Sequence, residues 1–369
     1  MDSEKLKEIG ACFQMKGKIM EVTPYGNGHI NDTYLLTATE NGQATRYILQ
    51  RMNRQVFTDI KGLMENIVNV TAFLHQEILK RGGDQKREAL SVIFTKEEKP
   101  YLEWTDESDW RMYLFVEGAT SYDTVEKPGD FYESAVAFGH FQKLLANFPA
   151  TTLHETIPDF HNTVNRFEKF RRAVEADVCH RAKTVETEIA FAMDREADCH
   201  ILCDLLEKKE LPLRVTHNDT KLNNIMIDNE TGKGICVIDL DTVMPGLALY
   251  DYGDSIRFGA NTGAEDEKDL SKISCDLTLF SLYTKGYIEG CDGSLTQKEI
   301  ELMPMGAKLM TLECGIRFLT DYLEGDHYFK IHRPEHNLDR ARTQFALVAD
   351  MEKKWEQMEE ICKNKGITS

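Results

Sequence analysis

With 369 residues, 41% of them hydrophobic and 29% charged, the chain has the composition of an ordinary globular protein, long enough for one large domain or two coupled lobes. Its 62 acidic against 44 basic side chains leave a formal charge of −18. Such a surface repels phosphodiester backbones and anionic lipid, which disfavours nucleic acid and membrane as partners. No apolar run reaches the ~18 residues of a membrane span, and the opening MDSEKLKEIG lacks the cationic start and apolar core of a signal peptide. The nine scattered cysteines fit a reducing compartment. Cys199 and Cys203 flank His200 in a helical stretch, too few convergent ligands for zinc. A cytoplasmic location with no obligate protein partner is expected.

The first 115 or so residues read as strand-rich. Lys18 to Thr23 and Ile30 to Thr37 are β-branched, apolar runs, and Asn41-Gly42 marks a tight hairpin because both central residues of a type I′ turn need positive φ. Arg46 to Met52 returns as the partner strand. Ile60 to Arg81 carries apolar residues at helical spacing and stops at Gly82-Gly83. Strands are expected at Leu90 to Phe94, Tyr101 to Trp104 and Trp110 to Val116. Beyond Gly118 the pattern turns helical, at Phe131 to Leu145, Asn162 to Ala176 and Glu188 to Leu206. Leu213 to Asp241 reads as short strands and loops. Helices resume at Asp269 to Tyr287, about Gln297 to Leu323, and about Pro334 to Lys363, where Val348, Met351, Trp355, Met358 and Cys362 form one apolar face. The expectation is an α+β chain in two lobes, residues 1–116 as a small antiparallel-sheet lobe with one helix and residues 117–369 as a larger, mostly helical lobe.

The sharpest chemical signal is His217-Asn-Asp219-Thr-Lys221-Leu-Asn-Asn224, the H-x-D-x-x-x-x-N pattern of a kinase catalytic loop. In that chemistry the aspartate accepts the proton of the attacking hydroxyl, and the asparagine five residues later binds magnesium. Lys221 offers a fixed charge for the transferring phosphoryl oxygens, or is a solvated loop residue. Two short apolar strands around a turn then deliver Asp239, about twenty residues after Asp219, where a second metal-binding aspartate belongs. Magnesium takes hard oxygen ligands and keeps waters, so one or two carboxylates plus phosphates suffice. Between the first two strands, Tyr25-Gly26-Asn27-Gly28-His29 holds two glycines that let backbone approach phosphates; a plain hairpin turn is the alternative.

Together these pieces resemble the aminoglycoside phosphotransferase and choline kinase superfamily, which shares the protein-kinase fold. Within it, the likeness is greatest to bacterial N-acetylhexosamine 1-kinases. It covers most of the chain and rests on GNGHINDTY, YILQRMN, FVEGATSYD, HNDTKLNN, IDLDTVMPG, YDYGDSIRFGAN and GIRFLTDYLEGDHYF. The resemblance implies an ATP- and magnesium-dependent kinase that phosphorylates the anomeric hydroxyl of an N-acetylhexosamine. It implies Asp219 as base, Asn224 and Asp239 as magnesium ligands, and Gly26 and Gly28 over the ATP phosphates. Phe115, Val116 and Glu117 fall in the hinge that would bind the adenine edge, and His29, Phe258, Arg317 and Tyr328 in the sugar site. Arg317 has an ordinary alternative, pairing with Glu313 or Asp321 on its own helix.

The departures from a protein kinase are informative. The strand-3 lysine is missing from YILQRMN, and either Gln50 or Arg51 stands near it; Arg51 could contact the phosphates and pair with Glu65. Asn218 replaces the catalytic-loop arginine, Asp239-Leu-Asp241 replaces D-F-G, and no A-P-E follows, which argues for a metabolite substrate. Two other readings remain: a kinase of the same fold for an amino alcohol, another sugar or an aminoglycoside, and a nucleotide-binding pseudokinase scaffold. The intact Asp219, Asn224 and Asp239 count against the scaffold, and no Walker A sequence is present.

Overall fold

The computed structural model describes residues 2–26, 30–122 and 127–366. In chain order the elements are α1 (Ser3–Gly10), β1 (Lys18–Pro24), β2 (Asp32–Glu40), β3 (Gln43–Met52), α2 (Ile60–Lys80), α3 (Gln85–Glu88), β4 (Val92–Ile93), β5 (Leu102–Glu103), β6 (Asp109–Leu114) and β7 (Ala119–Thr120). There follow α4 (Pro128–Leu144), α5 (Thr163–Ala176), α6 (Glu186–Met193), α7 (Glu196–Glu207), β8 (Arg214–Thr216), β9 (Ile225–Asp228) and β10 (Gly234–Val237). Helices α8 (Ala248–Gly259), α9 (Leu277–Cys291), α10 (Gln297–Glu301), α11 (Met303–Glu324), α12 (His336–Lys353) and α13 (Trp355–Gly366) complete the chain. The backbone gathers into two compact units, one of Met1–Ser121, Asn147–Ile157 and Asn224–Met244, the other of Tyr122–Ala146, Pro158–Asn223 and Pro245–Ser369.

The first unit is built on an antiparallel sheet ordered β1-β2-β3-β6-β4, with β5 also on β6. Asn41 and Gly42 both hold positive φ, 52° and 80°, so the hairpin between β2 and β3 closes in the tight form their types favour. That turn fixes a register in which Asp32 faces Arg51 and Thr33 faces Gln50. On the sheet, Leu36, Ala38, Tyr47, Leu49, Trp110 and Met112 pack with Leu6, Ile9 and Phe13 into one core. Helix α1 had no expected counterpart; it is capped by the Asp2 carboxylate and buries Leu6 and Ile9. Helix α2 buries Ile60, Leu63, Met64, Ile67, Val70, Leu74 and Ile78 at three- and four-residue steps, while Phe73 is only partly buried. Its buried Asn66 ties the unit's three segments together, donating to the carbonyls of His154 (2.8 Å) and Val243 (3.0 Å) and accepting from the His154 N–H. The β10-β9-β7 sheet closes this unit around Val116, Ala119, Met226 and Cys236.

The second unit is helical. Helices α4 and α9 approach so closely that a Cβ on Gly139 would lie 2.4 Å from the Tyr287 carbonyl, and one on Gly290 2.3 Å from that of Val136. Helix α11 is buried along nearly its whole length. Three helices expected as continuous are broken. Glu188 to Leu206 divides at Arg195, whose guanidinium turns to Glu352 and the Phe191 carbonyl. Gln297 to Leu323 divides at Leu302, with Pro304 in the first turn of α11. Pro334 to Lys363 divides at Lys354, whose ammonium reaches Ser274 Oγ and the Cys275 carbonyl. The helix expected from Asp269 starts instead at Leu277, where Asp276 accepts the N–H groups of Thr278 and Leu279. Among the described residues no helix is long and apolar enough to cross a membrane.

Candidate active site

In the second unit, β8 leads into His217, which is fully buried against the edges of Phe138 and Phe141. The loop that follows is held by one carboxylate. Asp251, on α8, accepts the N–H of His217 at 2.9 Å and that of Asn218 at 2.8 Å, with Gln142 Nε2 at 3.1 Å. Asn218 has φ +65°, a left-handed conformation that needs such support. The Thr220 hydroxyl donates to the Asp251 carbonyl at 2.7 Å, and Ser255 Oγ donates to the Thr220 carbonyl at 3.0 Å. Burial pushes the Asp251 carboxyl above its ordinary range, against the pull of His217 and the donated N–H groups.

The clamp presents Asp219, whose N–H reaches His217 Nδ1 at 3.3 Å and whose carboxylate meets the Lys221 ammonium at 2.6 Å. Burial works to lower the Lys221 pKa, but Asp219 and then Asp254 more than offset it, so the lysine stays charged. Asp254, one helical turn after Asp251, accepts from Arg257 Nε at 2.9 Å. Although burial opposes it, Arg257, Lys221 and His161 hold the Asp254 carboxyl below its ordinary value. A carboxylate paired with a cation, and a second carboxylate whose field also acts on that cation, are thus assembled within this unit.

Further along the same unit, the Arg317 guanidinium lies 5.6, 5.8 and 5.5 Å from the ring centres of Phe160, Tyr328 and Phe329. Glu313, one turn earlier, is 3.8 Å from Arg317 and 3.0 Å from His161 Nδ1. Arg317 and Tyr328 are therefore brought together, and of the two partners the sequence offered for Arg317 it is Glu313 that lies beside it. Asp321 instead accepts the N–H groups of His327, Tyr328 and Phe329. Phe258 sits exposed on α8, next to Arg257.

In the first unit, Ile238 N–H donates to the Asn224 carbonyl at 2.9 Å, and Ile225 pairs with Val237, so Asn224 and Asp239 stand at the same end of the β9–β10 hairpin. They offer an amide oxygen and a carboxylate, hard donors of the kind magnesium takes. Among the described residues no group of three or more His, Cys, Asp and Glu could hold a metal ion. Phe115 and Val116 are buried, with the Arg46 guanidinium 4.1 Å from the Phe115 ring centre and paired with Glu117. Arg87 Nε donates to the Glu117 carbonyl at 3.0 Å. Gly26 holds φ +74°; Gly28 and His29 lie outside the described residues.

The register places Gln50 and Arg51 on opposite faces of strand β3. Arg51 faces Asp32 and pairs with it at 3.7 Å, not with Glu65, which meets His154 at 2.7 Å. Gln50, on the other face, sits opposite Arg111 and accepts from its Nε at 3.0 Å. Asp251, Asp254 and Arg111 were not singled out from the sequence, and Asp321 only as a partner for Arg317. YDYGD places two carboxylates three residues apart, a spacing that joins one helix face, but only if the segment is first read as a helix.

The fold has relatives among solved structures. An aminoglycoside phosphotransferase from Alicyclobacillus acidocaldarius is 13% identical, with a TM-score of 0.62 and 96% of each chain covered. A spectinomycin phosphotransferase solved with ADP and spectinomycin is 13% identical at a TM-score of 0.57, over 97% of this chain and 99% of that one. A choline kinase from Cryptosporidium parvum is 15% identical at 0.56, over 95% and 93%. The antiparallel-sheet unit and the larger helical unit are thus those of the protein-kinase-like phosphotransferases. The model of the phosphotransferase enzyme family matches residues 21–276, well over half of the chain, and the protein belongs to that family.

Proposed function

We propose that this phosphotransferase moves the γ-phosphoryl group of ATP to the anomeric hydroxyl of an N-acetylhexosamine, N-acetylglucosamine or N-acetylgalactosamine, giving the sugar 1-phosphate. The observation that carries the reading is the Arg317 guanidinium set among the rings of Phe160, Tyr328 and Phe329. A quaternary ammonium or a polyamine would meet a like charge there, whereas a neutral sugar can accept the guanidinium's hydrogen bonds and lay its C–H face on an aromatic ring. Asp219 accepts the proton of the attacking hydroxyl. Lys221, held charged between Asp219 and Asp254, neutralises charge on the transferring group. The anomeric hydroxyl is more acidic than an ordinary alcohol, which suits a carboxylate base. Asn224 and Asp239 would hold magnesium, which would supply charge neutralisation at the transferring phosphates. The Gly26–Gly28 turn would cover the phosphates, and the Phe115–Glu117 backbone would take the adenine edge.

A panel of acceptors in a coupled ADP-release assay tests this. N-acetylhexosamines should react best, and the unacetylated hexoses roughly 10- to 100-fold less well in kcat/KM, because a polar group left unpaired costs ~1–3 kcal/mol. Methyl glycosides should not react, and phosphorus NMR should show coupling to the anomeric proton. Brisk phosphorylation of the methyl glycoside, or preference for choline or an aminoglycoside, would replace the sugar reading with another small-molecule acceptor.

A further inference from the structure

The sequence lacks a lysine on strand 3, and the register turns the nearby cation, Arg51, toward Asp32 at the surface. The unit nevertheless contains a cation beside that strand. Arg111, on β6, is fully buried; its Nε donates to Gln50 Oε1 at 3.0 Å, and its guanidinium forms an ion pair with the buried carboxylate of Asp241. The other carboxylate oxygen of Asp241 accepts from Asn31 Nδ2 at 2.7 Å, while Asn31 Oδ1 takes the Asn53 N–H at 3.0 Å. Gln50 in turn donates to Thr33 Oγ1. Asp241 lies in the single 3-10 turn Leu240–Thr242, whose capping residue is Asp239 at φ 58° and ψ 60°. A non-glycine residue keeps that left-handed conformation only where its surroundings impose it.

We infer that Arg111 is a positioning residue for the metal site: through Asp241 it fixes the turn that presents Asp239, filling from a neighbouring strand the place of the absent strand-3 lysine. The inference rests on the role given to Asp239 above. Arg111 itself has no exposed face to offer a phosphate, since side chains 1% and 5% exposed form the pair. It acts by holding, not by touching. Removing a group that orients a metal ligand characteristically costs about 10- to 100-fold in metal affinity.

The test measures the magnesium dependence of turnover, together with calorimetric binding of AMP-PNP with and without magnesium, in Arg111→Lys, in Arg111→Leu combined with Asp241→Leu, and in Asp239→Ala. The double variant removes both charges and leaves neither buried alone. It should bind AMP-PNP without magnesium as the wild type does, but need about 10- to 100-fold more magnesium for half-maximal turnover, with Arg111→Lys intermediate. A folded double variant with wild-type magnesium dependence, beside an Asp239→Ala variant that has lost it, would overturn the inference alone. An Asp239→Ala variant with unaltered magnesium dependence would overturn the metal assignment and the inference with it. If the double variant does not fold, Asn31→Ala, which removes one bond to Asp241 without stranding a charge, decides: a raised magnesium requirement supports the inference and an unchanged one overturns it.

Discussion

The carboxylate of Asp321 accepts the backbone N–H of Tyr328 at 2.7 Å, one helical turn beyond Arg317. The same carboxylate takes the N–H groups of His327 and Phe329 and the amide of Asn337 at 2.8 Å. It therefore folds the end of α11 back so that two aromatic rings stand over the guanidinium. Replacing Asp321 with alanine should remove this support. On the proposed sugar reading, the expected result is a rise in KM for that acceptor larger than any fall in kcat, with a loss of about 2–3 kcal/mol of stability. An unchanged sugar KM in a folded variant would make Asp321 a helix terminator and nothing more.

Asp219→Asn should lower kcat by about 10² or more, the usual loss for a positioned base, while AMP-PNP affinity stays close to wild type. Lys221→Met should also lower kcat, by roughly 10², since it withdraws the charge nearest the base. Stopped assays and calorimetry separate the two effects. An Asp219→Asn variant keeping more than about a tenth of wild-type kcat would remove that carboxylate from the chemistry.

Asp251 and Asp254 stand one turn apart on α8 and should titrate on opposite sides of the unfolded value of about 3.9. Burial raises Asp251, so its contribution to stability is present below the unfolded pKa and declines as pH rises toward the folded one. Asp254 is depressed by Arg257, Lys221 and His161 against the effect of burial, so its contribution is full above the unfolded pKa and is lost as pH falls toward the folded one. Carboxyl-carbon NMR shifts, assigned with Asp251→Asn and Asp254→Asn, report both midpoints. Finding Asp254 to protonate at the higher pH would refute this account of the α8 electrostatics.

Gly290→Ala should destabilise the second unit by about 1–3 kcal/mol, because its Cβ would sit 2.3 Å from the Val136 carbonyl and force α9 away from α4. Denaturant melts should show this. A neutral substitution would mean that the two helices separate at little cost.

What could be read in advance was written in local spacing. Asn41-Gly42 closes its hairpin through two adjacent residues, and His217, Asp219 and Asn224 stand in one short run, so neither needs a distant partner to be seen. Helix α8 was missed because Tyr250, Asp251, Tyr252, Gly253, Ser255 and Ile256 are all buried, leaving no polar stripe to set the period. The breaks at Arg195 and Lys354 were invisible because the apolar period runs through them while contacts with Glu352 and Cys275 are made elsewhere in the chain. Arg111 read only as part of a strand; its importance depends on a carboxylate far along the sequence.

That distance sets a timetable for the growing chain. Asn31, Gln50 and Arg111 are all synthesised before Asp241, and roughly 130 residues separate the guanidinium from its counter-ion. At about 5–20 residues per second, the ribosome needs roughly 7 to 26 s to bridge the gap. Throughout it the strands of the sheet have been made, but a guanidinium sealed without its carboxylate would be too costly to bury. Until Asp241 is made, Arg111 has Gln50 beside it but lacks the counter-ion of the folded sheet. For this protein, the order of synthesis leaves the sheet's buried cation without its partner for that interval.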